Sequence, residues 1–315
     1  MSQVSQFLNA ESLEEARSQI KKTNWASHNG TLYLTLPQHT QEDFDLQFDL
    51  ISSAHLQDDD VFLCGFLRSG NHWVWEILHM ILNQNTKFTD RIWSRHNIDI
   101  WGKDVQKKMD ALEAPRVFGS HLLPQRLPKV ISQKPIKIVY PIRNPKDVLT
   151  SWFKVSSKLI PGQNWPGDWD QFFDLQMTGE FLWGSWFDHV NGFDRFIREN
   201  PQVKVHVIQF EKLLENPVKE ISELCRFLGE SESLSLAADI AEATSFENMK
   251  RETQGKSEKE NDYTTKRAGN VANVSGQANT WKSKFTVRQN EVFHAVFEQL
   301  MKGNKLADLV REYLK

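Results

Sequence analysis

From residue 61 the chain carries an apolar run, Val61-Phe62-Leu63-Cys64-Gly65-Phe66, then a short break at Arg68-Ser69-Gly70. After it, Val74, Ile77, Leu78, Ile81 and Leu82 recur at i, i+3, i+4, i+7 and i+8. The run reads as a strand buried on both faces, Val61 to Phe66, and the spacing as one face of a helix. A helix starting near Gly70 turns unpartnered N–H groups and the positive end of its dipole toward the loop, and Arg68 adds a full charge. The junction therefore reads as an anion cradle, with an ordinary strand-to-helix turn as the plainer alternative. Further along, Arg116 to Ser120 reads as a short strand ending at His121-Leu122-Leu123-Pro124, because proline cannot continue the ladder. Lys137 to Ile142 is another strand, and Pro141 confines its ladder bonding to the earlier residues. Asn144 caps the helix that follows, with Pro145 at its first position and Asp147 at the positive end of its dipole. Val203 to Phe210 is a fourth strand. After it Asn216-Pro217 opens a helix with Val218, Ile221, Leu224, Cys225 and Leu228 on one face and Gly229 at its end.

Strands alternating with helices predict an α/β fold, a central parallel sheet flanked by helices on both sides. Ligands in such a sheet gather at the carboxyl ends of the strands, which is where Arg68, His121 and Arg143 fall. Ser151 lies seven residues beyond Asn144, two helical turns on and on the same face, so Arg143 and Ser151 make a second phosphate site. Each also has a plainer reading: Arg143 as a surface cation, Ser151 as an exposed helix serine, His121 as a loop histidine. Gly65 and Gly70 share the spacing of a nucleotide triphosphate loop, but Asn71-His72 follow where Lys and a Ser/Thr magnesium ligand are needed. That disfavours a P-loop kinase or NTPase. The stretch from about Glu252 to Thr280 is polar with little periodicity and reads as a loop that orders on a ligand.

At 315 residues the chain can bury a large core, and no linker divides it, so residues 1–315 read as one domain. A net charge of -3 gives no reason to invoke nucleic acid or a membrane surface, so any anion site is local. Cys64 and Cys225 sit in apolar segments far apart, which suits buried free thiols in a reducing compartment. The first residues carry early charges, and no apolar run reaches about 18 residues, so a soluble, cytoplasmic protein is expected. Eleven tryptophans, several of them between Trp93 and Trp186, are walls for an apolar ligand or plain core.

Taken together these segments resemble the cytosolic sulfotransferases, which use 3′-phosphoadenosine 5′-phosphosulfate (PAPS) as sulfuryl donor. FLRSGNHW resembles that family's 5′-phosphosulfate loop, a P-loop-like element, and implies donor contacts from Arg68, Ser69, Gly70, Asn71, His72 and Trp73. RVFGSHLLP resembles the segment ending in the catalytic histidine, here His121. YPIRNPKDVLTSWF resembles the 3′-phosphate motif and carries Arg143 and Ser151. GSWFDHV and FEKLLENP match in order, the second placing Phe210 where an adenine-side tyrosine is common. Thr244-Ser245-Phe246 resembles the adenine-contacting segment, with Phe246 and Trp73 sandwiching the base. Arg267-Ala268-Gly269 resembles the Arg-Lys-Gly that closes over the 3′-phosphate. Lys282, Thr286, Val287 and Glu291 fit the family's dimerisation motif and imply a homodimer.

The resemblance implies sulfuryl transfer from PAPS to a hydroxyl or amine of a small, apolar or aromatic acceptor, leaving 3′,5′-bisphosphoadenosine. In-line transfer needs positioning and charge neutralisation, and a base for the acceptor's proton. Histidine titrates near neutrality, so His121 is the expected base, with Arg68 neutralising the leaving phosphate. No metal is implied. The chain departs from the pattern at Arg68 for the loop lysine, Asn71-His72 for a threonine pair, Gly119 for a lysine and Ala268 for a lysine. A guanidinium is a fixed planar fork where an ammonium is a mobile point charge. The competing reading is therefore a protein that binds PAPS or the bisphosphate with little turnover. His72 as an imidazolium would offset part of the lost charge, and a helix N-terminal histidine with no catalytic role is the equal alternative.

Overall fold

The computed structural model describes residues 4–34, 40–89, 96–159, 162–231, 233–259 and 278–315. The chain opens with α1 (Ala10–Ile20), a two-stranded antiparallel hairpin of β1 (Ala26–His28) and β2 (Thr31–Tyr33), and α2 (Gln41–Ser52). The central strands are β3 (Val61–Cys64), β4 (Val117–Ser120), β5 (Lys137–Ile142) and β6 (Lys204–Gln209), in spatial order β4-β3-β5-β6. All three pairings are parallel, as the alternation of elements predicts. After β3 comes α3 (Asn71–Leu82); α4 (Val105–Asp110) precedes β4; α5 (Pro145–Ser156), α6 (Trp169–Thr178) and α7 (Trp186–Glu199) separate β5 from β6. The remainder is helical: α8 (Phe210–Glu215), α9 (Pro217–Leu228), α10 (Leu234–Ala243), α11 (Phe246–Lys259), α12 (Val287–Leu300) and α13 (Lys305–Val310).

Successive residues of a strand point to opposite faces, and both faces here are apolar. Phe62, Cys64, Phe118, Ile138 and Tyr140 enter one core with residues of α1, α2, α5, α6, α7 and α12. Val61, Leu63, Val117, Val139 and Ile208 enter the other, with α3, α9 and α10. Beneath the sheet, Arg116 and Asp60 form a buried bidentate ion pair at 2.6 and 2.5 Å. The two cysteines are free and buried. Trp101, Trp152, Trp165, Trp169, Trp183 and Trp186 are buried too, so most of the tryptophan excess is core. No helix among the described residues is long and apolar enough to cross a membrane.

Several boundaries differ from expectation. The first central strand ends at Cys64 rather than Phe66, because the Phe66 carbonyl turns out of the ladder to accept from Ser69 N–H and Asn71 Nδ2. Val203 and Phe210 lie outside β6, Phe210 opening α8 instead. Pro141 acts on one side only. Lys137 N–H bonds Asp60 O, so alternate N–H groups of β5 face β3, and the missing donor of Pro141 falls on that side. Pairing with β3 accordingly stops at Val139, while pairing with β6 continues through Ile142. The chain passes from β3 to one neighbour, β4, and later to the other, β5, so the open gap lies at the reversal of strand order, where ligands bind in such sheets. The polar region expected as a loop from Glu252 is helical up to Lys259.

Candidate active site

The cradle is built by two glycines that no other residue could replace. A Cβ on Gly65 would lie 2.5 Å from Asn71 Oδ1 and 2.8 Å from Pro141 Cγ; one on Gly70, at φ 98°, would lie 2.8 Å from Phe210 Cδ2. Both approaches are shorter than side chains tolerate, and positive φ adds strain at Gly70. Asn71 donates through Nδ2 to Phe66 O at 2.9 Å and so ties the loop shut from inside. Ser69 Oγ is buried and has no hydrogen-bond partner among the described residues. A hydroxyl sealed in that way marks a place where something polar belongs.

Two arginines converge on this loop. Arg68, itself in the left-handed region at φ 66°, donates Nε to Ser151 Oγ at 3.0 Å. Arg143 Nη1 donates to the Arg68 carbonyl at 3.1 Å, and its guanidinium lies 4.2 Å from the centre of the Phe210 ring. Ser151 is thus where helical spacing puts it, joined to Arg68. Burial and the Arg143 charge lower the Arg68 pKa to about 9, and burial lowers that of Arg143. Two cations that destabilise each other are stabilised by an anion between them.

The start of α5 is held from several directions. Asn144 Oδ1 caps Lys146 N–H, as expected, while its Nδ2 donates to Tyr313 O at 2.7 Å. Asp147 is fully buried and accepts from Asn279 N–H, Thr280 Oγ1 and Trp281 N–H at 2.8, 2.9 and 3.0 Å. It therefore anchors the segment that returns after the undescribed stretch 260–277, beyond its influence on the helix dipole. Glu211, at the start of α8, accepts Asn144 N–H at 2.8 Å.

His121 follows the last residue of β4. Its Nδ1 lies 2.6 Å from Gly65 O. A carbonyl oxygen only accepts, so Nδ1 carries the proton and the neutral ring has its lone pair on Nε2. Burial, with the Arg68 charge, lowers its pKa to about 4, so the ring is a neutral base at physiological pH. The same effects favour the plainer reading of His72: burial, Arg68 and His121 lower its pKa to about 3, so its ring is neutral. Gly119 lies in regular strand pairing without a positive φ.

Asp99, which the sequence reading missed, accepts His121 N–H and Ser120 Oγ–H, both at 2.7 Å, and Trp183 Nε1–H at 3.3 Å. Burial pushes its pKa up to about 7 against those donors. The Trp183 ring stands edge-on to His121, centroids 6.0 Å apart, and to Tyr33 at 5.7 Å, so an aromatic wall does border the histidine.

The adenine-side residues fit less closely. Trp73 meets Phe210 edge-on at 5.7 Å. Phe246 begins α11 with 42 % of its surface exposed, and Thr244, buried, spends its hydroxyl on Ile240 O at 2.8 Å. Arg267, Ala268 and Gly269 lie outside the described residues. In the proposed dimer motif, Thr286 caps α12 in a capping box with Gln289, Val287 is 78 % exposed, and Lys282 and Glu291 are exposed.

A family model described as the sulfotransferase domain matches residues 58–305. Human sulfotransferase 1C2 is 30 % identical over 272 residues, 81 % of this chain and 88 % of that protein. Human sulfotransferase 2A1 is 32 % identical over 270 residues, 82 % of this chain and 87 % of that protein. Among solved structures, mouse sulfotransferase SULT7A1, complexed with PAP, superposes with a TM-score of 0.75 at 25 % identity, covering 93 % of this chain and 99 % of that one. Retinol dehydratase shares the fold at 16 % identity, with a TM-score of 0.74 over 95 % and 96 % of the two chains. The matched span contains the glycine cradle, the paired arginines and His121, and the chain belongs to the sulfotransferase family.

Proposed function

We propose that this protein transfers a sulfuryl group from PAPS to a hydroxyl or amine of a small, apolar or aromatic acceptor. The observation that carries the reading is the direct bond from Arg143 to the Arg68 carbonyl beside two helix N-termini, with His121 bonded to the same loop at Gly65. Those two cations, the first N–H groups of α3 and the partnerless Ser69 hydroxyl suit a nucleotide bearing two phosphates. PAP in the mouse relative supports the same ligand here. His121 Nε2 takes the acceptor's proton as the new O–S or N–S bond forms and the S–O bond to phosphate breaks. Arg68 meets the charge left on that phosphate. Trp183 and Tyr33 form part of the apolar wall on the acceptor side. The exposed motif from Lys282 to Glu291 supports a small homodimer contact. We read the chain as a single domain acting in the cytoplasm.

A second reading is favoured by one observation. Arg68 is tied through Nε to Ser151 and cannot follow the leaving phosphate as a lysine could. A protein that retains nucleotide with little turnover would result. Transfer from labelled PAPS across a panel of phenols, alcohols and amines decides between them: bisphosphate binding without transfer to any acceptor selects the second.

A further inference from the structure

The active histidine follows an edge strand, and the residue that secures it lies outside that strand. β4 is the outer strand of the sheet, and its ladder with β3 ends at Ser120. Residues 96–100 cover its free edge: Gly119 N–H donates to His96 O at 2.9 Å, and Asn97 bridges to Gly119. Past Ser120, His121 N–H has left the ladder, and a buried N–H without an acceptor is costly. Asp99 accepts it at 2.7 Å on Oδ2, and takes Ser120 Oγ at 2.7 Å on Oδ1. Its own N–H is fixed by Asn97 Oδ1 at 2.9 Å. The third donor, Trp183 Nε1, comes from a residue at φ 62°, a conformation that costs energy in a bulky side chain and persists only where its surroundings impose it.

We propose that Asp99 is a positioning residue: it holds the His121 backbone where the ring donates Nδ1–H to Gly65 O, leaving Nε2 as the acceptor of the substrate's proton. The inference rests on His121 being the base, and extends it to what keeps that base in place. Position rather than charge is what Asp99 supplies. Among the described residues no Lys or Arg lies within ion-pair distance of its buried carboxylate, and burial outweighs its hydrogen-bond donors to raise its pKa to about 7. The geometry also says which substitution keeps the bond to His121. An asparagine can keep its oxygen toward His121 N–H and Trp183 Nε1–H and turn its amide to Ser120 Oγ, which already accepts Leu122 N–H at 3.0 Å and has a second lone pair, at the cost of the acceptor that Ser120 Oγ–H has in Asp99 Oδ1.

The test compares Asp99→Asn with Asp99→Ala by nitrogen NMR of the His121 imidazole. The wild type and Asp99→Asn should show one neutral tautomer, protonated at Nδ1. Asp99→Ala should populate both, with turnover of the probe acceptor 4-nitrophenol falling about tenfold or more while bisphosphate affinity holds. Should the alanine variant fail to bind bisphosphate, Asp99→Ser, whose side chain is too short to serve all three donors, carries the same expectation. An unchanged tautomer in the alanine or serine variant overturns the proposal, as does equal disruption by asparagine. Failure of the base assignment is seen separately, as turnover that survives His121→Ala with the wild-type tautomer intact.

Discussion

Removing Arg143 tests the anion site directly. Arg143 is 2 % exposed, donates Nη1 to a neutral carbonyl and lies on Phe210, so Arg143→Ala gives up a buried fork aimed at phosphate. Two charge-assisted bonds at about 1.5–3 kcal/mol each amount to about 3–6 kcal/mol, or roughly 10² to 10⁴ in affinity for the bisphosphate. The free protein should change little. It loses the hydrogen bond to the Arg68 carbonyl, worth about 1 kcal/mol, and the attraction of Asp147 and Glu211, and is relieved of the larger cost of burying the charge. In a thermal-shift assay, bisphosphate at about 100 times its wild-type dissociation constant adds about 2.7 kcal/mol, near 5 °C for a chain of this size. A hundredfold weaker variant at the same concentration keeps only about 0.4 kcal/mol. Adenosine 5′-phosphosulfate, lacking the 3′-phosphate, should bind wild type and variant almost alike. Equal losses for both ligands would move Arg143 to the 5′ side. Undiminished bisphosphate binding would show that the convergent arginines are not the site.

His121→Ala should leave bisphosphate affinity nearly unchanged and lower turnover by about 10² or more, measured with labelled donor; surviving turnover would make the residue structural. Stability should fall with acid. His121, His72 and His189 titrate near 4, 3 and 3 when folded and near 6.5 when unfolded, so unfolding takes up their protons between about pH 6.5 and 4. Asp99, raised to about 7, holds its proton in the folded state and opposes one of the three. Burial lowers His206 and His294 in the same sense as the three histidines and raises Asp174, Glu211 and Glu220 in the same sense as Asp99, so urea melts should show stability falling between about pH 6.5 and 4 by less than the histidines alone would give, and stability that rises on acidification would refute the burial argument. Val287→Glu should sediment as a monomer and still bind bisphosphate; an unchanged dimer would place the contact elsewhere.

What could be read from sequence was what local spacing encodes. The strand, cradle and helix over 61–82 were legible because a two-sided apolar run and a 3.6-residue period meet at glycines that nothing larger could replace. Helix geometry predicted Ser151 on the face that begins at Asn144, but not its bond to Arg68, since a residue 83 positions away supplies it. Asp99 was illegible: Asn97-Ile98-Asp99-Ile100 has no period, and its role arises only when the segment docks on the edge of β4. The hairpin of β1 and β2 has three residues per strand, too few for alternation to register. Sequence left two readings of His72 open, and burial with the field of Arg68 favours the neutral ring.

Pro141 gives the sheet a hinge line without mobility. Because the split between β3 and β5 arises from a backbone donor that proline lacks, and Gly65 packs against its ring, the floor of the crevice is set by main-chain chemistry. Side chains around the rim can then vary with the acceptor while the aperture itself stays constant. A residue with an N–H at 141 would offer the two strands one more rung, and each added rung would draw the arginine loop and the histidine strand toward closure. The width of the binding slot is thus written into one imino acid, packed against the glycine whose carbonyl holds His121.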